Sequence, residues 1–143
     1  MTNRSVPAHI LLAHLVYEDI AEAISWLERV FGFAEHYRYG APDQPDGAQM
    51  RFGEACFMLS RVRTGRATPR QAGHITQMLT VFVADVDAHY ARAQARGAKI
   101  VEEPHETIYG EWQYAAEDLD GHLWIFSRHS RDVAPEEWGA AVR

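Results

Sequence analysis

Eight histidines, one cysteine and twenty carboxylates carry the reactive chemistry of this 143-residue chain, and few of them fall at a spacing that performs a reaction. The motifs GxSxG, GxGxxG, the P-loop and HExxH do not occur, so acyl transfer on a nucleophile elbow, dinucleotide binding and HExxH-type zinc hydrolysis have no sequence support. Cys56 sits mid-strand in an apolar run, the setting of an inert buried thiol rather than of an activated nucleophile. As the only cysteine it also excludes an intrachain disulfide and a cysteine-based zinc site. Asp118 and Asp120 stand in Asp-Leu-Asp-Gly, where short acidic side chains build a tight turn. Glu102, Glu103 and Glu106 read as a solvated loop cluster. Arg61, Arg63, Arg66 and Arg70 fit an anion site or, more simply, a solvated loop.

Most histidines have equally plain readings. His74 and His105 belong to loops at the surface, and His89 to the exposed side of a helix. His122 packs or hydrogen-bonds locally behind the Asp118–Gly121 turn, while His9, His36 and His129 have no constellation near them in sequence.

The whole chain sets bounds on what these groups serve. At 16.2 kDa it fits one domain, and 47% hydrophobic with 24% charged residues is the make-up of a folded globule. A net charge of −6 argues against binding nucleic acid or an anionic membrane through bulk electrostatics. No apolar run approaches the ~18 residues of a membrane span. The N-terminus lacks a clean apolar core followed by a small-residue cleavage site, which leads us to expect a cytoplasmic protein.

Hydropathy patterning supplies the elements. His9–Tyr17 reads as a strand, Asp19 as an N-cap, and Ile20, Ala23, Ile24, Leu27, Val30 and Phe31 as one face of a helix stopped by Gly32. Glu35–Tyr39 precedes a turn-rich stretch, Gly40–Gly47, and two strands, Ala48–Phe52 and Ala55–Val62, around a Gly53-Glu54 turn. Arg63–Gly73 reads as a linker. The pattern then restarts, with strand Gln77–Val83, a helix capped by Asp85 and ended by Gly97, and a short strand Lys99–Val101. A loop Pro104–Gly110, strands Glu111–Glu117 and His122–Ser127, and a tail with a short helix from Pro135 complete it.

Val16-Tyr-Glu-Asp19-Ile20 matches Phe82-Val-Ala-Asp85-Val86, and Gly32 matches Gly97 to within one residue, so the chain duplicates a βαβββ-like unit. The expected organisation is one domain over 1–143, made of module 8–62, linker 63–73, module 74–129 and tail 130–143.

These residues resemble a known superfamily. Asp19–Phe33 resembles the opening module of the vicinal oxygen chelate proteins, which include glyoxalases, bleomycin resistance proteins and extradiol dioxygenases. Val83–Asp87 with Ala93–Ala98 is similar to the start of the second module, and Tyr109-Gly110 with Asp118–Phe126 to the closing hairpin. The resemblance implies an α+β fold of paired βαβββ modules, a curved mixed sheet around a pocket with helices outside, and a homodimer.

Metal-dependent members hold a divalent ion with His, Gln or Glu on the inner sheet faces, leaving coordination positions open for substrate oxygens. Carried onto this chain, those positions fall on Leu12, Leu79 and Ile125, and the strand Ala55–Val62 contains no carboxylate. The resemblance therefore implies no bound metal and no cofactor. His14, two residues beyond Leu12, shares its face by strand parity and is the one catalytic candidate, either as a displaced metal ligand or as a general base. It is equally a hydrogen-bonding group for a ligand. Gln77 and Ser127 bear the same relation to Leu79 and Ile125. Trp112 and Tyr114 share one strand face: inward, they make a stacking wall for a flat ligand; outward, they are core. Tyr109 is a rim residue. The expected inner face thus carries Leu12, His14, Val16, Gln77, Leu79, Leu123, Ile125 and Ser127. The expected function is binding of a small organic molecule, aromatic or antibiotic-like, in the manner of bleomycin resistance proteins. The alternative is a metal-dependent glyoxalase-like lyase or isomerase, or an extradiol-type dioxygenase with displaced ligands.

Overall fold

A computed structural model describes residues 5–7 and 10–143, so His9 lies outside the described residues. The chain divides into two compact units, Met1–His74 and Ile75–Arg143. Each has the same plan of strand, helix and three strands. The first holds β1 (Ala13–Tyr17), α1 (Ile20–Phe31), β2 (Ala34–Ala41), β3 (Gln44–Phe52) and β4 (Ala55–Arg61), followed by a one-turn α2 (Pro69–Ala72). The second holds β5 (Met78–Phe82), α3 (Val86–Ala95), β6 (Lys99–Glu106), β7 (Glu111–Glu117) and β8 (Leu123–His129). The sheets run β1-β4-β3-β2 and β5-β8-β7-β6, in each of which the first strand pairs in parallel with the last and the other pairs are antiparallel.

Local chemistry sets the helix ends. Asp19 Oδ1 accepts from the Glu22 N–H and Asp85 Oδ1 from the Ala88 N–H, both at 3.0 Å, so each aspartate satisfies an orphan donor of the first turn. Helix α1 stops at Gly32, whose φ of 76° suits glycine, and the Phe33 N–H returns to the Leu27 carbonyl. Its six apolar positions are all buried, on a helix that lies against β2, β3 and β4. Phe33 sits edge-on to Phe31, Phe52 and Phe57 at ring separations of 5.1–5.9 Å.

Three segments differ from the sequence expectation. The turn-rich stretch 40–47 is mostly strand, because β2 and β3 pair out to Ala41 and Gln44, with register shifts and the positive φ of Gly40 absorbing the twist. Strand β6 continues through Pro104, where an edge position spares proline the missing ladder bond. Within the expected linker, Thr68 and Gln71 form a reciprocal capping box around α2. The Asp118 turn is built as read: its Oδ1 accepts from the N–H groups of Asp120 and His122 and its Oδ2 from Trp124 Nε1, all within the buried interior.

Candidate functional site

Each sheet has one face against its helix and one open face, and pairing registers decide which residue belongs to which. In the first sheet Leu15 pairs with Leu59, and Leu59 with Ala48, defining the α1 side. The open face then carries His14 beside Met58, Val16 beside Ser60, and Gln49 across from Met58. In the second sheet Tyr114 pairs with Phe126 and Ala116 with Trp124 on the α3 side, leaving Ala115, Ile125, Gln113 and Ser127 on the open face.

Leu79 is a correction. It pairs with Trp124, on the α3 side, while Met78 and Thr80 pair with Leu123 and Ile125. A one-residue difference in counting back from the cap aspartate moved it to the wrong face. Gln77 precedes β5 and is exposed. Trp112 and Tyr114 take the core arm of their alternative. Trp112 Nε1 donates to Asp87 Oδ1 at 3.0 Å, and the fully buried Tyr114 packs on Phe126 and Tyr90. His89 is not on an exposed side: its Nδ1 meets the Tyr114 hydroxyl at 2.5 Å and its ring lies 4.1 Å from that of Phe126. Burial pushes the Tyr114 phenol far above its usual value.

The remaining candidates are divided between the two units. Tyr109 is exposed, its ring 5.8 Å from that of Trp138 in the tail. Ser127 is buried on the open face of the second sheet, and its hydroxyl donates to Glu111 Oε2 at 3.1 Å. His14 is exposed on the open face of the first sheet, with Met58 as its strand neighbour. Burial also raises the Cys56 thiol, in keeping with an inert side chain.

A polar network on that first open face escaped the sequence reading. His36 Nδ1 lies 2.6 Å from Gln49 Oε1, and Gln49 Nε2 lies 3.3 Å from the Tyr37 hydroxyl and 3.5 Å from Met58 Sδ. Tyr37 pairs with Gln49 and Glu35 with Met50, so His36 is the extra residue of a β-bulge. The bulge lets two consecutive side chains reach one glutamine, which strict alternation forbids. A glutamine set between Ala48 and Met50 was the available signal. Burial raises the Tyr37 phenol, with smaller contributions from Tyr39 and Cys56, and keeps it a neutral donor. At the rim of the first unit, a cleft of about 160 Å³ lined by Glu18, Asp19, Ile20, Asp43, Gln44, Pro45 and Arg61 is too small for a drug-sized molecule.

Duplicated βαβββ units with capped helices and open sheet faces define a class, and the chain belongs to it: it matches the Glyoxalase/Bleomycin resistance protein/Dioxygenase superfamily over residues 7–126. Among particular proteins, it is similar to the uncharacterized protein Mb0911c of Mycobacterium bovis, 30% identical over 138 residues that cover 92% of this chain and 91% of that one. TioX from Micromonospora sp. ML1 is 35% identical, with a TM-score of 0.72 over 85% of this chain and 99% of TioX. The fold is shared also with TnmS3, an antibiotic binding protein from Streptomyces sp. CB03234, at 21% identity and a TM-score of 0.64, over 89% of this chain and 100% of TnmS3.

The positions that match the metal ligands of some members of this superfamily hold Leu12, Met78 and Ile125, side chains that do not suit a hard divalent ion. His14 is flanked by a thioether and a valine, and Ile125 by Thr80 and Ala115. Hard divalent ions want carboxylate, imidazole or amide donors in convergent groups. Among the described residues no group of three His, Cys, Asp or Glu side chains could share an ion.

Proposed function

We propose that this protein binds a small organic molecule on its open sheet faces, without a resident metal, and that His14 is the orienting hydrogen-bond partner. The observation that carries this reading is the make-up of the first open face, where Val16 and Met58 surround a few convergent polar groups: His14, Gln49 and Tyr37. Apolar floors with sparse, fixed polar groups are how small-molecule sites obtain both affinity and orientation. Leu12 and Ile125 carry no donor where metal-dependent relatives place ligands, and the corrected counterparts of Leu79 are a thioether and a hydroxyl, Met78 and Thr80. An aromatic or antibiotic-like ligand is the class to test first; TnmS3, which shares the fold, is an antibiotic binding protein.

The test is elemental analysis of protein purified without chelators, followed by equilibrium dialysis against a panel of aromatic antibiotics. Less than a tenth of an equivalent of metal and saturable binding of a panel member are expected. His14→Ala should then weaken that binding by about 1–3 kcal/mol, the cost of leaving a desolvated partner unpaired. One equivalent of zinc, nickel, iron or manganese, lost on replacing His14, would instead establish the metal-dependent lyase or dioxygenase reading. The protein is further proposed to be a cytoplasmic homodimer, because each sheet ends in two edge strands that a second copy would cover. A monomer mass by light scattering at micromolar concentration rejects that.

A further inference from the structure

One carbonyl oxygen on the first open face is gripped by two side chains. The Tyr37 hydroxyl donates to the Ser5 carbonyl at 2.8 Å, and Gln49 Nε2 donates to the same oxygen at 3.2 Å. Gln49 is 1% exposed, so its amide works in a dry setting. Its orientation is fixed by His36: Oε1 only accepts, so Nδ1 must carry the proton at 2.6 Å, and Nε2 is thereby aimed at the carbonyl. Met58 Sδ, 3.5 Å from Nε2 and 3.9 Å from the Tyr37 hydroxyl, closes the floor.

The occupant is less fixed than its holder. Ser5 and Val6 are exposed and belong to no helix or strand, although Pro7 behind them is buried. Two pre-aimed donors on one oxygen are the geometry for a neutral carbonyl acceptor, and nothing in that geometry requires the acceptor to be Ser5.

We propose that Tyr37 and Gln49 form a recognition site for the carbonyl of an amide- or ester-bearing small molecule, and that the Ser5 carbonyl is a displaceable internal occupant. The inference rests on the reading that this face binds small molecules, and it names the chemistry of the ligand. His36 is a positioning residue that holds the glutamine amide. Because the segment and the ligand compete for one site, the apparent affinity for any ligand is reduced by the fraction of chains in which Ser5 is seated.

The experiment follows the full-length, ¹⁵N-labelled protein by NMR, with N-acetylproline methylamide as the probe. Saturable shifts of the Gln49 side-chain amide are expected, with the Val6 backbone amide moving in step toward its random-coil position. Replacing Ser5 and Val6 with glycine, with the buried Pro7 kept, loosens the internal occupant and should tighten probe binding severalfold, a gain that structural damage would not produce. In that glycine background Tyr37→Phe should weaken the probe by about fivefold, the loss of one hydrogen bond. Gln49→Glu, which exchanges donors for acceptors, should abolish binding. Probe binding that leaves Val6 in place, an unaltered affinity in the glycine variant or in its Tyr37→Phe form, or no response of the Gln49 amide overturns the proposal. Should a panel antibiotic bind without displacing Val6, this inference fails while the small-molecule reading stands. If the amide probe displaces Val6 but no panel member binds, the failure lies with the broader reading.

Discussion

Aligned on their cap aspartates, helices α1 and α3 place Ile20 against Val86, Ala23 against His89, Ile24 against Tyr90 and Leu27 against Ala93. The first helix is therefore held to its sheet by hydrocarbon, with Leu27, Val30 and Phe31 fully buried. The second is held largely by directed contacts, His89 and Tyr90 on Tyr114 and Asp87 on Trp112. On the open faces the roles change: the first carries the His36–Gln49–Tyr37 network, and the second a mixture of Ala115, Ile125 and Leu123 with Ser127 and Gln113. One topology thus tolerates polar groups on either side of its sheet, provided each buried group finds a partner.

The sharpest way to break this contrast is Leu27→Ala, which gives α1 the residue α3 has at that place. It should cost about 3 kcal/mol, since a fully buried leucine leaves both transfer energy and a cavity behind. Urea denaturation of the full chain reads it as a lower midpoint. Asp118→Ala attacks the second unit through its polar side, stranding the Trp124 indole N–H and two backbone N–H groups, for about 2–3 kcal/mol by the same measurement.

Tyr114→Phe keeps the ring and removes only the contact with His89, so about 1 kcal/mol is expected. It also carries a pH signature. The folded phenol titrates far above its unfolded value of about 10, so its contribution is complete below that pH and declines as pH rises beyond it. Thermal melts of the native protein should fall on the alkaline side more steeply than those of the phenylalanine variant.

The smallest effect concerns Glu35 on the first unit. The hydrogen bond from Arg38 holds its carboxyl below the usual range, a direction that burial opposes, at an Nε–Oε1 distance of 2.6 Å. Its contribution is present above the ordinary carboxylate pKa and is lost as pH falls through that range. Because the pair is partly exposed, Arg38→Leu should remove only a few tenths of a kcal/mol, and mostly at neutral rather than acid pH.

The duplicated plan was legible because caps and stops are local chemistry: Asp19, Asp85 and Gly32 announce helix ends without any knowledge of the partner. Strand faces were less accessible, since parity is absolute only once one residue is anchored. Leu79 shows this, as counting from the cap by six rather than seven residues carried it across the sheet. Trp112 and Tyr114 had known parity relative to each other but not to α3, which is what decided them. The His36–Gln49–Tyr37 network was hidden for another reason: a bulge breaks the period-2 rule, and nothing in Glu35–Tyr39 marks the extra residue. His89 was misread because a helix with few buried apolar positions gives a weak facing signal, Val86 and Ala93 being the buried ones.

The parallel pairing of first and last strand in each unit has a consequence for synthesis. Ala13 pairs with Phe57 and Met78 with Leu123, so neither sheet closes until its fourth strand has left the ribosome. The first strand of each unit must wait through a helix and two further strands before the strand it pairs with in the sheet, β4 or β8, exists. A nascent chain is expected to stay open until β4 emerges, then to fold its first unit in one step and repeat the sequence with β8, giving two separate force peaks in an arrest-peptide profile.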